Sequence, residues 1–312
     1  MNVDRPVLGV LLMLGFCVVA PMGDAVAKLI GQSIPLGQLL LLRFAVQAVV
    51  LVPLVWLGAR AWRMSGRVLR LTFLRTVLHI LGIGAMFTAL QYLPLADAVA
   101  IAFVMPFIML LLGKYVLGEE VGARRLIACA VGFVGTLMVV QPSFAAVGWP
   151  ALWPVVVAVN FSVFMLVTRQ IAKQTDPVGL QMVSGGIAVA ILAPVMLLGE
   201  RMGWTPLEMV SPDGREWALL LAIGVLGSAA HLLMTWSLRY APSATLAPMQ
   251  YLEIPVATLI GWLVFSDLPN RLATAGICVT IAAGLYIVVR EGRLARAKAA
   301  EPIAAEPHPA EI

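Results

Sequence analysis

Asp24, Arg43, His79, His231 and Glu253 stand inside long apolar runs, where an ionisable group is costly and marks a candidate site. Arg43 offers a planar fork of donors that suits a carboxylate or phosphate on a solute. Equally, it can pair with Asp24 on the preceding run and pin two helices together. Glu253, in Met249-Gln250-Tyr251-Leu252-Glu253, has no basic residue within a turn of it on its own run. Removal from water favours the neutral form of a carboxyl group, so it either exchanges a proton or braces two helices as a hydrogen-bonded acid. His79 and His231 can relay protons, or can be satisfied by a neighbouring hydroxyl or amide. Asn160, Gln47, Gln91 and Gln250, with Tyr251 and Trp236, can line a polar cavity or glue helices by hydrogen bonds.

Other chemistries lack their residues. There is no His-Glu-x-x-His, no Gly-x-Ser-x-Gly, no pair of aspartates at useful spacing and no phosphate-cradling glycine loop. Cys17, Cys129 and Cys278 sit in apolar runs without metal-ligand spacing and read as small core residues. The sequence therefore predicts no enzyme, no catalytic residue, no metal and no cofactor. Composition agrees. The 312 residues are 61% hydrophobic and only 12% charged, against roughly 25% charged in soluble domains. With a mean hydropathy of +0.97, this excludes a cytosolic enzyme, a disordered chain and a nucleic-acid partner. The net charge of +5 has another use in a membrane protein, where Lys and Arg collect in cytoplasmic loops.

The elements that hold these residues are membrane spans. Apolar runs of about 20 residues occur near 7–27, 36–57, 71–92, 95–116, 124–141, 150–168, 178–199, 217–238, 243–265 and 271–290. The charged start before the first run is short, which predicts a retained helix and no cleaved leader. Placing the N-terminus inside puts 16 of the 21 basic residues on that side, the run Arg60, Arg63, Arg67, Arg70 and Arg75 foremost. Only Lys28, Arg201, Arg215 and Arg271 fall outside, so both termini are expected in the cytoplasm. Arg43 then lies roughly 10 Å below the outer surface at 1.5 Å per residue, and Glu253 near mid-depth. Trp149, Trp153, Trp204 and Trp217 read as interface anchors. Asp97, near the outer mouth, is expected to cap the fourth span, and Glu119 and Glu120 to form a solvated cluster with Arg124 and Arg125.

The chain also repeats. A shift of 141 brings Lys28 onto Arg169 and Pro53 onto Pro194; a shift of 148 brings Tyr92 onto Tyr240 and Pro94 onto Pro242. The second shift also places Ala128, Gly132 and Thr136 on Gly276, Thr280 and Gly284, small residues at four-residue spacing that mark scaffold helices. Five spans per copy is an odd number, so the second copy is inverted. Secondary transporters recur on this plan, with solute bound near the midplane between the halves. The expected fold is an all-α integral membrane protein of ten transmembrane helices in two inverted five-helix repeats, 1–145 and 146–290, followed by a disordered cytoplasmic tail, 291–312. Pro106 in span four and Pro248 with Pro255 in span nine should bend helices where a cavity opens.

The ordered motifs Leu41-Leu42-Arg43-Phe44, Ala89-Leu90-Gln91-Tyr92-Leu93-Pro94-Leu95-Ala96-Asp97-Ala98, Leu117-Gly118-Glu119-Glu120 and Ser237-Leu238-Arg239-Tyr240-Ala241-Pro242-Ser243-Ala244 resemble the EamA-type branch of the drug/metabolite transporter superfamily along essentially the whole chain. The stretch Gly23-Asp24-Ala25-Val26-Ala27-Lys28 resembles the first span of members tied to vitamin or nucleoside-type uptake, such as riboflavin transporters. The resemblance implies a secondary carrier of a small organic metabolite in the inner (plasma) membrane of a bacterium, working by alternating access with possible proton coupling. Its partners would be the lipid bilayer and the solute, and its state monomer or homodimer. Uptake of a vitamin or nucleoside and export of an amino acid or drug both stay open, as does, from another class, a channel.

Overall fold

The computed structural model describes residues 5–64, 66–118 and 122–300. Glu119, Glu120 and the tail beyond residue 300 lie outside the described residues. The described chain is helical: α1 Pro6–Ile30, α2 Leu36–Leu57, α3 Gly66–Leu90, α4 Leu95–Ala102, α5 Met105–Leu117, α6 Ala123–Val147, α7 Trp153–Ala172, α8 Pro177–Arg201, α9 Gly214–Tyr240, α10 Ser243–Leu246, α11 Glu253–Phe265 and α12 Arg271–Ala300. Eight stretches are long and apolar enough to cross a bilayer, α4 and α5 together forming one of them; Met249–Phe265 and Arg271–Tyr286 are shorter apolar helices. Ten crossings in two repeats result.

Local chemistry sets the ends. Pro6 and Pro177 occupy the first turns of α1 and α8, where a missing N–H costs nothing. Asp176 accepts from Val178 N and Gly179 N, both at 3.0 Å. Asp213 and Glu216 close a capping box at the start of α9. The fifth run, expected to end near 141, is longer: α6 continues past Pro142 and the chain turns at Gly148, whose φ of 69° and ψ of −138° suit glycine. Likewise α12 runs to Ala300, beyond the end expected at Arg290.

The fourth span of each repeat is broken at its middle. Between α4 and α5 the helix lapses at Phe103–Val104, just before Pro106. Between α10 and α11 a tighter 3₁₀ stretch, Ala247–Leu252, contains Pro248. Both second halves end on a left-handed cap, Gly118 (φ 65°, ψ 24°) and Ser266 (φ 57°, ψ 22°), one repeat apart. Paired interruptions at corresponding positions mark the solute site of inverted-repeat carriers.

Packing shows the inversion. α1 packs on α9 and α3 on α7, two contacts that exchange when the repeats are exchanged. α2 packs on α8, α4 on α11 and α6 on α12, each span against its own counterpart. A pseudo-twofold axis therefore runs through the interface. Lipid supplies no hydrophobic drive for such contacts, so close approach decides them. At the α6–α12 crossing a Cβ on Gly135 would lie 2.7 Å from the Gly276 carbonyl, and one on Gly276 would meet the Gly135 carbonyl in turn. From the expected small-residue stripe, Gly276 and Thr280 do meet α6 at Gly135, whereas Gly132 makes room for the Tyr251 ring on the 3₁₀ stretch. Cys17 and Cys129 are buried, but Cys278 faces the periphery.

Candidate functional site

A cavity opens between the repeats at the two broken spans. Its empty space, open mouth included, is about 760 Å³, but the volume free to solvent is only about 90 Å³, so the chamber is narrow in this conformation. Phe103, Met105 and Glu253 contribute from the breaks, and Phe16, Phe87 and Phe161 from α1, α3 and α7. Asp24, Arg43, His231 and Glu253 are its charged or titratable lining. Four of the polar residues singled out in the sequence, from α1, α2, α9 and α11, thus converge on one apolar chamber.

Arg43 is 2% exposed. Among the described residues it forms no ion pair, and its Nη1 has no hydrogen-bond partner. Asp24 lines the same cavity and acts on Arg43 electrostatically without closing to ion-pair distance. The guanidinium lies against the Phe44 ring at 4.8 Å and against Gly227, where a Cβ would sit 2.7 Å from Nη2. Gly227 is thus required for the pose. Glu253 opens α11, where the helix dipole favours a carboxylate, and it shares the chamber with Asp24. The chamber thus presents a fork of donors, two carboxyl groups and a wall of phenyl rings.

Behind the chamber, His79 Nε2 and His231 Nε2 are 2.9 Å apart. His79 does not line the cavity; it reaches it through His231. Phe44 and Phe164 pack on His79 with ring centroids at 5.0 Å and 4.9 Å. Arg75 also lies over the Phe164 ring, its Cζ 4.6 Å from the ring centre. Arg75 is fully buried and donates from Nε to Thr168 Oγ1 and from Nη1 to Ser184 Oγ, both at 2.9 Å, while Nη2 has no partner. Grouped by charge with the loop arginines, Arg75 nevertheless falls within the third run, 71–92, and α3, which begins at Gly66, carries it inside.

The neutral candidates stand elsewhere, holding helices. Gln47 Nε2 donates to the Gln181 carbonyl at 2.8 Å, joining α2 to α8. Asn160 Nδ2 donates to the Leu78 carbonyl at 2.7 Å, joining α7 to α3. Gln250 Nε2 lies 3.2 Å from Met165 Sδ, and Tyr251 donates to the Cys129 carbonyl at 3.3 Å. Trp236 packs with Leu51, Val55 and Val178, away from the chamber, and Gln91 is exposed. Asp97 accepts from Ser143 Oγ at 2.7 Å, tying α4 to α6, and caps no helix end.

Repeat-related cations close the two ends of the bundle. Lys28 Nζ donates to the Leu93 carbonyl at 3.1 Å, and its counterpart Arg169 donates to the Leu238 carbonyl. Each ties the first span of a repeat to the end of the third. Lys28 also pairs with Asp267 of the other repeat at 3.0 Å. On the face bearing the N-terminus, Arg60 pairs with Asp176 at 3.3 Å, Arg239 donates to the Thr175 carbonyl at 3.0 Å, and Arg5 N donates to the Tyr240 carbonyl at 2.9 Å.

Comparison with known proteins follows the same division. The sequence model of the EamA-like transporter family matches twice, over residues 7–141 and 148–290. The chain belongs to the EamA-like transporter family. It is 30% identical to a riboflavin transporter of Rhizobium johnstonii over 230 residues, 71% of each chain. It is 22% identical to an S-adenosylmethionine uptake transporter of Rickettsia prowazekii over 275 residues, 88% of this chain and 90% of the relative. It is 27% identical to the pseudopaline exporter CntI of Pseudomonas aeruginosa over 276 residues, 88% and 91%. One crystal structure superposes with a TM-score of 0.72 over 92% of this chain and 99% of its own, at 18% identity, and so shares the fold. This EamA-like protein is a multi-pass membrane transporter, and its relatives are named as transporters, not enzymes.

Proposed function

We propose that this EamA-like protein is a secondary carrier that moves a small organic solute bearing a planar ring across the inner membrane by alternating access. The chamber carries the reading: an apolar cavity at paired helix breaks, lined by Phe16, Phe87, Phe103 and Phe161 and tipped with Arg43, Asp24 and Glu253. Phenyl walls stack on flat rings, and the riboflavin and S-adenosylmethionine named for two relatives both contain planar heterocycles. Arg43 supplies donors to the solute's polar end. Glu253 exchanges the coupling proton, its burial leaving the neutral form accessible. Both termini face the cytoplasm, where the Arg60–Arg70 cluster belongs.

Thermal unfolding of the purified protein with riboflavin, S-adenosylmethionine, nucleosides and amino acids tests the solute class. A bound solute raises the midpoint, and the ring-bearing compounds should do so selectively. A shift from amino acids alone would overturn the aromatic reading. Reporters placed after Arg290 and within 60–64 should both register as cytoplasmic; either one outside would overturn the orientation.

A further inference from the structure

His79 and His231 come from α3 and α9, the third spans of the two repeats. The shift of 148 that relates those spans takes His79 to Gly227, one helical turn from His231. Two nearly equivalent residues that touch each other must lie close to the axis relating the halves. Their contact, Nε2 to Nε2 at 2.9 Å, has one chemical meaning. One ring donates an N–H and the other accepts with its lone pair, since two lone pairs or two protons would repel at that distance. Both Nδ1 atoms are buried and without hydrogen-bond partners; the accepting ring carries its own proton at Nδ1 and the donating ring keeps a lone pair there, so the pair holds one open position for a proton. His231 borders the chamber, which gives the proton a route.

We propose that His79 and His231 form a proton-binding site on the pseudo-twofold axis, which takes up one proton as an imidazolium–imidazole pair and has no capacity for a second. A second proton would remove the shared hydrogen bond and set two cations 2.9 Å apart. The charged groups around the pair are Arg43 from α2 and Arg75 from α3, both within electrostatic reach and both repelling a positive charge placed on it, with Asp24 from α1 and Glu253 from α11 across the chamber. Phe44 touches both Arg43 and His79, and Phe164 touches both Arg75 and His79. These rings pack the pair in place. A site on the axis is equally placed for either half of a carrier cycle, so its use in transport rests on the alternating-access reading above. Its existence does not.

The test is ring-nitrogen NMR of the full chain labelled with 15N-histidine in lipid nanodiscs. The chain has three histidines, and His308, in the tail, serves as the reference. Between about pH 4 and pH 9, around the ordinary histidine range, His79 and His231 should differ at Nε2, one bearing a proton and one not. Together they should gain a single proton. Glu253→Gln should leave that uptake in place, which separates this site from the coupling carboxyl. Two independent uptakes, two proton-bearing Nε2 atoms at high pH, or no uptake across the range would each overturn the site. His231→Gln, if it folds, should leave His79 titrating as a lone ring, and an unchanged His79 spectrum would count against the pair. Failure to concentrate any solute in vesicles would refute the carrier reading while leaving these spectra to decide the proton site.

Discussion

Gly227→Ala perturbs Arg43 without touching it. The new methyl carbon would lie 2.7 Å from Nη2 and 2.9 Å from Cζ and Nε, against ordinary contacts of 3.4 Å or more. The guanidinium must therefore retreat by ~0.7 Å at its closest atom. Gly227 is inside α9 with no positive φ, and alanine favours a helix over glycine by about 1 kcal/mol. That gain offsets much of the crowding, so the fold should survive with an unfolding midpoint close to the parent's. A charge-assisted hydrogen bond between Arg43 and the solute contributes about 1.5–3 kcal/mol, so misplacing its donor should lower solute affinity about 10- to 100-fold. Competition for uptake into proteoliposomes of a labelled ring-bearing solute that stabilises the parent, alongside thermal unfolding of the same preparation, reads both quantities. Parent-like affinity at an unchanged midpoint would refute the placement of Arg43 on the solute path.

Gly276→Ala drives a methyl into the Gly135 carbonyl, and to 2.9 Å from Met138 Cβ; overpacking of this kind costs about 1–3 kcal/mol and should lower the unfolding midpoint, whereas Gly186→Ala, with nothing within 4 Å of its Cβ, should not. Exchanging the partners, Lys28→Asp with Asp267→Lys, should recover transport lost in either single variant. The recovered energy should be small, about 0.2–1 kcal/mol, because both side chains are partly exposed, and no recovery would show that the pair does not hold that end of the bundle.

Much of the site could be read before any fold was known, for a physical reason. A charge inside an apolar run has few explanations, so Asp24, Arg43, His231 and Glu253 announced themselves, and all four border the chamber. The repeat likewise gave the inversion that the packing displays. What stayed hidden depended on partners distant in sequence. Nothing in an apolar run distinguishes Phe103 at a cavity wall from a phenylalanine facing lipid. His79 and His231 are 152 residues apart, and only the inverted arrangement of the repeats, α3 on α7 and α9 on α1, brings their rings together. An amide in a span suits lining and glue alike, and nothing in the run itself shows that Gln47, Asn160 and Gln250 have their carbonyl and sulfur partners on neighbouring helices.

The carrier reading requires that solute be moved against its gradient and that Glu253 connect this movement to protons. Purified protein in liposomes, with a labelled ring-bearing solute that raises its unfolding midpoint placed outside and an imposed pH gradient, measures both at once. The parent should concentrate label above the external level, and Glu253→Gln should lose that accumulation while still exchanging internal for external label. Label that equilibrates but never concentrates, in parent and variant alike and under either direction of the pH gradient, would contradict a proton-coupled carrier and indicate passive flux through a channel.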